Sequence, residues 1–356
     1  MKNFIRILVW TFVALAIQQS IFFYVENKYL AADVKIKAEK VEEKEIPKPK
    51  VKNPNEIDIK DGLGDVSLSS NGRFVAYIED NKLKVLDSND KSEKEFQSEN
   101  NGEVVFYKWF TNEDTMIVIQ KIQKNREFYF EPVSFTAKKG EVRKLADVNS
   151  NEVKISIKNN TDKIDNVAFS NATHSLYIKV QKENGKSDLY YANVMNQLEK
   201  VRSNKDIGNV IVPTTNANAV LEMGTSATIL NSPGDIEIPN VDITKVLGTD
   251  IKDNVYFGEE VNKKITKIHY TILNNQNNKW NTISLAKPVD KEDIIIDYFG
   301  KIYINDKLAG SVLEITSKKT IKYTGQLVQA YSKGFISRDG NKLLKNELET
   351  NNIHIN

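Results

Sequence analysis

The sequence predicts an all-β domain built from repeated four-stranded units, carried behind a single N-terminal transmembrane helix. Three observations lead there. One uncharged apolar run, Ile7–Val25, lies near the N-terminus. Beyond Asn55 the apolar residues gather in short β-branched and aromatic runs bounded by Asn, Asp, Gly and Ser. Those runs recur at a spacing of tens of residues, the signature of stacked or radial repeats.

The apolar run, ILVWTFVALAIQQSIFFYV, is nineteen residues long. At about 1.5 Å per residue it covers roughly 28 Å, close to the hydrocarbon thickness of a bilayer. Trp10 and Tyr24 stand near its two ends, where amphipathic rings prefer the headgroup level. Gln18, Gln19 and Ser20 interrupt it, and buried amides of this kind find partners on a second helix, which raises self-association through the anchor. Lys2 and Arg6 ahead of the run also fit a cleaved signal peptide, but the run exceeds the usual h-region, Ala14-Leu15-Ala16 falls in mid-span, and Leu30-Ala31-Ala32 lacks a small residue at Leu30. An uncleaved anchor over residues 1–25 is the expectation. The basic-then-apolar order places the N-terminus inside and the domain outside the cell membrane, against Lys28, Lys35, Lys37 and Lys40 on the far flank, which are interleaved with Glu26, Asp33 and Glu39.

Residues 26–55 mix Lys and Glu densely and end in Pro47, Pro49 and Pro54. Proline forbids helix here and favours an extended spacer, so the segment reads as a stalk. The domain then occupies residues 56–356. Its runs include Phe74-Val75-Ala76-Tyr77-Ile78, Leu83-Lys84-Val85-Leu86, Met116-Ile117-Val118-Ile119, Ser175–Val180 and Ile302-Tyr303-Ile304.

One repeat unit is Val66–Tyr77, a strand, the turn pair Asn71-Gly72, and a second strand. The same register returns at Tyr107–Ile117 and Val167–Tyr177, with weaker echoes at Val210, Leu247, Ile295 and Val328, so that starts fall some 33–60 residues apart. A β-propeller of about seven four-stranded blades follows, with six or eight as neighbours and a β-sandwich pair as the alternative. Ile57-Asp58-Ile59 is placed to pair with the last blade and lock the ring.

The pattern of an apolar or aromatic residue, Ser, a polar pair ending in Gly and a short β run resembles the repeat of TolB-like propellers and of the propeller in prolyl-oligopeptidase-type enzymes. Ser70-Asn71-Gly72 stands where that repeat has Pro-Asp-Gly; the Trp109 unit has Asn-Glu-Asp and the Phe169 unit Asn-Ala-Thr at the turn. The resemblance implies a propeller, and no activity. Some such propellers precede an α/β-hydrolase domain, whose Gly-x-Ser-x-Gly nucleophile turn is missing here: Gly224-Thr225-Ser226-Ala227-Thr228 lacks the final glycine.

No catalytic, cofactor or metal set is expected. Cysteine is absent, which excludes disulfides and thiolate chemistry. His174, His269 and His354 are scattered without a second ligand at metal spacing. Asp87-Ser88-Asn89-Asp90 lacks the glycine and closing glutamate of a calcium loop and reads as a hairpin turn. Glu42-Glu43 and Glu259-Glu260 are adjacent, so on a strand they point to opposite faces. Phosphate loops are missing as well. Lys and Arg total 50 against 48 for Asp and Glu, a net charge of +2 that gives nucleic acid no grip.

Three aromatic runs, Phe128-Tyr129-Phe130, Tyr190-Tyr191 and Tyr298-Phe299, are candidates for a sugar- or peptide-binding surface, with alternation sending part of each into the core. The expected function is a membrane-tethered module that displays a propeller surface to a protein or polysaccharide of the cell envelope. A glycan or peptide hydrolase or lyase with carboxylates at the propeller mouth is the alternative, resting on fold analogy alone. A sensor or assembly factor paired through Gln18 and Gln19 is the third reading.

Overall fold

The computed structural model describes residue 10 and residues 15–21, 55–98, 101–111, 113–273 and 278–347. The chain divides into two units, Met1–Val51 and Lys52–Asn356. In the first, residues 15–21 are helical, with the Ser20 hydroxyl donating to the Ala16 carbonyl at 2.8 Å. Most of the expected anchor, and the stalk through residue 54, lie outside the described residues. Among the described residues no helix is long and apolar enough to cross a membrane.

The second unit is a seven-bladed β-propeller: seven antiparallel sheets follow one another along the chain. Blade 1 is Val66–Leu68, Phe74–Glu79, Lys82–Asp87 and Glu93–Glu95. Blade 2 is Glu103–Trp109, Thr115–Lys124, Glu127–Thr136 and an outer strand in two pieces, Glu141–Lys144 and Ile155–Ile157. Blade 3 is Lys163–Ser170, Ser175–Gln181, Ser187–Ala192 and Leu198–Lys205. Blade 4 has three strands, Val210–Ile211, Val220–Met223 and Ser226–Ile229. Blade 5 is Thr244–Thr249, Asn254–Val261, Lys264–Ile272 and Asn281–Val289. Blade 6 is Ile294–Ile296, Ile302–Asp306, Ser311–Glu314 and Thr320–Lys322. Blade 7 is Gln326–Tyr331, Gly334–Asp339 and Lys342–Glu347, completed on its outer edge by the N-terminal strand Glu56–Asp58.

The seven starts read from the sequence all fall on the first strands, and these lie side by side around the axis. Ile57 pairs with Leu343, as the closure expectation required. The four-strand rule fails in blade 4. There Ile236 N–H donates to the Ala227 carbonyl and Thr228 bridges Asp235, so a short irregular segment covers the outer edge in place of a strand.

Seven apolar clusters fill the junctions, one between each pair of neighbouring blades. Phe74, Leu83 and Val85 of blade 1 pack on Trp109, Met116 and Phe135 of blade 2, and the series continues around to Ile336 and Leu343 of blade 7 against Leu68 and Tyr77 of blade 1. A sandwich pair would make one core; a ring makes one per junction. Because every sheet is covered on both faces, the middle strands are continuous apolar runs, as at Phe74–Tyr77 and Met116–Ile119, where all residues are buried. Alternation survives mainly on the outer strands.

The Asn71-Gly72 hairpin forms, with different turn chemistry from a two-residue primed turn. Only Gly72 has positive φ, at 70°. Asn71 acts through its side chain, its Oδ1 accepting from the Ser69 hydroxyl at 2.8 Å and from Arg73 N–H at 2.9 Å. A Cβ at position 72 would press on the Tyr331 ring at 3.1 Å, so glycine also admits the neighbouring blade. In the third unit, which has no turn glycine, His174 takes φ 50°.

Candidate functional site

The first strand of each blade leaves one backbone edge facing the axis, and unpaired N–H and C=O groups there cost free energy unless partnered. Side chains of neighbouring blades satisfy several of them. Gln329 of blade 7 accepts from Leu68 N–H and donates to the Leu68 carbonyl, both at 2.9 Å. The Trp109 indole donates to the Ser67 carbonyl at 3.1 Å and Lys108 Nζ to the Val167 carbonyl at 2.7 Å. Asn209 of blade 4 donates to the Val246 carbonyl at 3.2 Å and accepts from Asn166 at 3.1 Å. These staples hold the inner wall rigid and fix the side chains at the ends of the strands.

Where the first strands of blades 6, 7, 1 and 2 end, a cavity of about 250 Å³ opens at the mouth of the ring. Its aromatic and apolar wall is Leu68, Trp109, Phe110, Tyr298, Phe299 and Tyr331. Phe299 is 60% exposed and meets Tyr298 edge to face at 5.4 Å. Both sit on the turn between the first two strands of blade 6, where Gly300 has φ 84° and a Cβ would collide with the Asp250 carboxylate and the Tyr256 hydroxyl. Asp297 sets this turn: one carboxylate oxygen accepts from Phe299 and Lys301 N–H at 2.9 and 2.8 Å, the other from the Tyr303 hydroxyl at 3.3 Å. Burial, reinforced by the Asp297 charge, pushes the Tyr303 hydroxyl above its ordinary value, so it remains a donor.

Of the three aromatic runs singled out in the sequence, only Tyr298-Phe299 enters the mouth. Phe130 is in the core, Tyr191 stacks on Tyr177 at 4.7 Å, and Lys200 lies 5.1 Å above the Tyr190 ring. Trp109, Phe110 and Tyr331 were not singled out as site residues. Their signal was positional, since Trp109 and Tyr331 end the first strand of a repeat and Phe110 directly follows one.

The two described histidines, His174 and His269, do not converge. His174 lines a separate groove of about 360 Å³ between blades 2 and 3. His269 is buried in blade 5 between the Thr282 hydroxyl at 2.9 Å and Glu259 Oε2 at 3.3 Å. His354 and Glu42-Glu43 lie outside the described residues. Glu259 also takes Lys267 at 3.0 Å, and a register shift separates it from Glu260. Asp87 is held by Arg73 at 2.6 Å and caps Asn89 N–H at 3.0 Å, the hairpin-turn role. Gly224-Thr225 is the tight turn between two strands of blade 4, and Ser226–Thr228 lie on the second of them. The mouth cavity brings in one carboxylate, Asp297, so the carboxylate pair that a hydrolase needs is not assembled there.

Lys108 Nζ donates to the uncharged Val167 carbonyl at 2.7 Å, and none of the ion pairs among the described residues includes it. Loss of hydration without a counter-charge pushes its ammonium down to about 8. Between that value and the ordinary lysine range the unfolded chain holds a proton that the folded chain has released, so stability rises with pH through this window. Wild type is therefore expected to gain stability relative to Lys108→Met as pH is raised from about 7 to about 10. Parallel unfolding midpoints for the two proteins over that range would refute it.

No protein-family model and no curated protein matches the chain. Solved structures do. A chain from the crystal structure of the mitotic checkpoint complex superposes with TM-score 0.50 at 10% identity, covering 88% of this chain and 99% of that one. The CNH domain of AfRom2 gives 0.46 at 11% identity, over 83% and 99% of the two chains. The WD40 domain of SCAP from fission yeast gives 0.42 at 11% identity, over 80% and 84%. At such identities the likeness concerns the fold, and the TolB-like resemblance of the repeat likewise extends no further than the propeller.

Proposed function

We propose that the chain is a membrane-tethered interaction module that presents the propeller mouth to a protein partner on the outer side of the cell membrane. The observation that carries the reading is the aromatic cavity at the mouth, with Phe299 exposed on a turn that Asp297 and Gly300 hold in place. Exposed aromatics on a rigid frame are the usual anchors of protein interfaces. Tethering rests on the uncharged run Ile7–Val25, and the outward orientation on Lys2 and Arg6 ahead of it.

A photoreactive benzoylphenylalanine at position 299 of the full chain tests both parts in intact cells. A discrete adduct that a protease digests and a glycosidase leaves unchanged is the expected result, together with degradation of the propeller by protease added outside. An adduct sensitive only to glycosidase would replace the protein partner by a polysaccharide. A propeller protected in intact cells and digested only after lysis would reverse the orientation.

A further inference from the structure

The mouth cavity also carries information about what enters it. At about 250 Å³ it falls below the roughly 300–1,000 Å³ of small-molecule sites, so it suits one long side chain. Its walls are aromatic rings from three separate turns, and among the described residues its one acidic or basic lining residue is Asp297. Two hydrogen bonds from backbone N–H groups and one from Tyr303 orient that carboxylate. Two cations nearby in sequence are engaged elsewhere. Arg73, on the turn with Ser70, is tied to Asp87 at 2.6 Å, and Lys108, two residues before Phe110, reaches away to the blade 3 carbonyl of Val167. A cation is attracted both to the faces of aromatic rings and to a carboxylate, whereas an anion is repelled by both.

Building on the protein-partner reading above, we propose that the mouth recognises a single cationic side chain, arginine or lysine, on an exposed segment of that partner. The aliphatic stem of such a side chain packs against Phe110 and Phe299 while its charged head meets the rings and Asp297.

The test uses the full chain in detergent and capped single amino acids: the N-acetyl amides of arginine, lysine, norleucine and glutamate, followed by saturation-transfer NMR. Arginine and lysine amides should receive saturation well above norleucine, and glutamate none. Asp297→Asn keeps an oxygen acceptor for the turn and removes the charge, and it should weaken the arginine amide about fivefold while leaving norleucine unchanged. Phe299→Ala should weaken the arginine amide, and added salt should do the same. Equal saturation of norleucine and arginine, no effect of Asp297→Asn on arginine, or no saturation of any amide would each overturn the cationic occupant. The reading of the mouth as a protein-binding surface stands or falls separately, on the adduct formed at position 299.

Discussion

Ile57→Asp is expected to open the ring and to cost about 4–5 kcal/mol, a large share of the 5–15 kcal/mol that holds a typical domain folded. Ile57 is 5% exposed in the cluster that joins blade 7 to blade 1, directly across from Leu343. Losing that burial removes roughly 2–3 kcal/mol of apolar transfer, and a carboxylate placed there finds no partner and loses its water. The closing strand holds three residue pairs, Glu56 with Leu344, Ile57 with Leu343 and Asp58 with Lys342, flanked by backbone bonds from Ile59 N–H to Asn341 and from Lys345 N–H to Asn55, so failure of the central pair loosens the strand along its whole length. Ile57→Val keeps the shape and should cost about 1 kcal/mol. The measurement is the thermal midpoint of both variants, with limited proteolysis to locate the first cuts. Equal midpoints for Ile57→Asp and Ile57→Val would show that the ring does not depend on this strand.

Glu222→Ala is expected to cost about 3 kcal/mol, since it removes one partner of a nearly buried network. Glu222, on the second strand of blade 4 and 7% exposed, accepts Val246 N–H of blade 5 at 2.8 Å and pairs with Lys291, in the connection to blade 6, at 2.6 Å. Lys245 lies 3.8 Å away on the other oxygen. One carboxylate thus fastens three consecutive parts of the ring beside the blade that has only three strands. With alanine, Val246 N–H is left without an acceptor, although Lys291 can recover water. Glu222→Gln retains the acceptor and loses the charge, and about 1–2 kcal/mol is expected. Denaturant midpoints that fall in the order wild type, glutamine, alanine support the network; alanine indistinguishable from wild type would dismiss it.

Blade number was legible in the sequence because one local device, a first strand ending in a polar turn, repeats seven times. Even the faint echoes at Val210, Leu247, Ile295 and Val328 lie on first strands. The outer edges were not legible. Residues 145–154 split the outer strand of blade 2, and the segment after Ile229 replaces one in blade 4, because outer edges face water and tolerate irregular chain. The mouth was half legible. Tyr298-Phe299 stand together in sequence and were singled out, whereas Trp109 and Tyr331 reach the same cavity from blades 2 and 7 and meet only once the ring closes. Asn71 shows how a correct turn can rest on a different cause: the pair makes the hairpin through an amide oxygen, with a single positive φ.

The closing strand also bears on how the molecule comes into being. Glu56 and Lys342, which meet at 2.9 Å across the seam, are 286 residues apart in the chain. During synthesis the strand Glu56–Asp58 therefore waits for its partner Lys342–Glu347, and blades 1 to 6 stand meanwhile as an open arc with their end faces wet. Local hairpins within each blade can form early, but loop closure over such a span comes late and slowly. Until it does, Ile57, Val66 and Leu68 have no blade 7 to cover them, and the unfinished arc is the form most prone to associate with other chains.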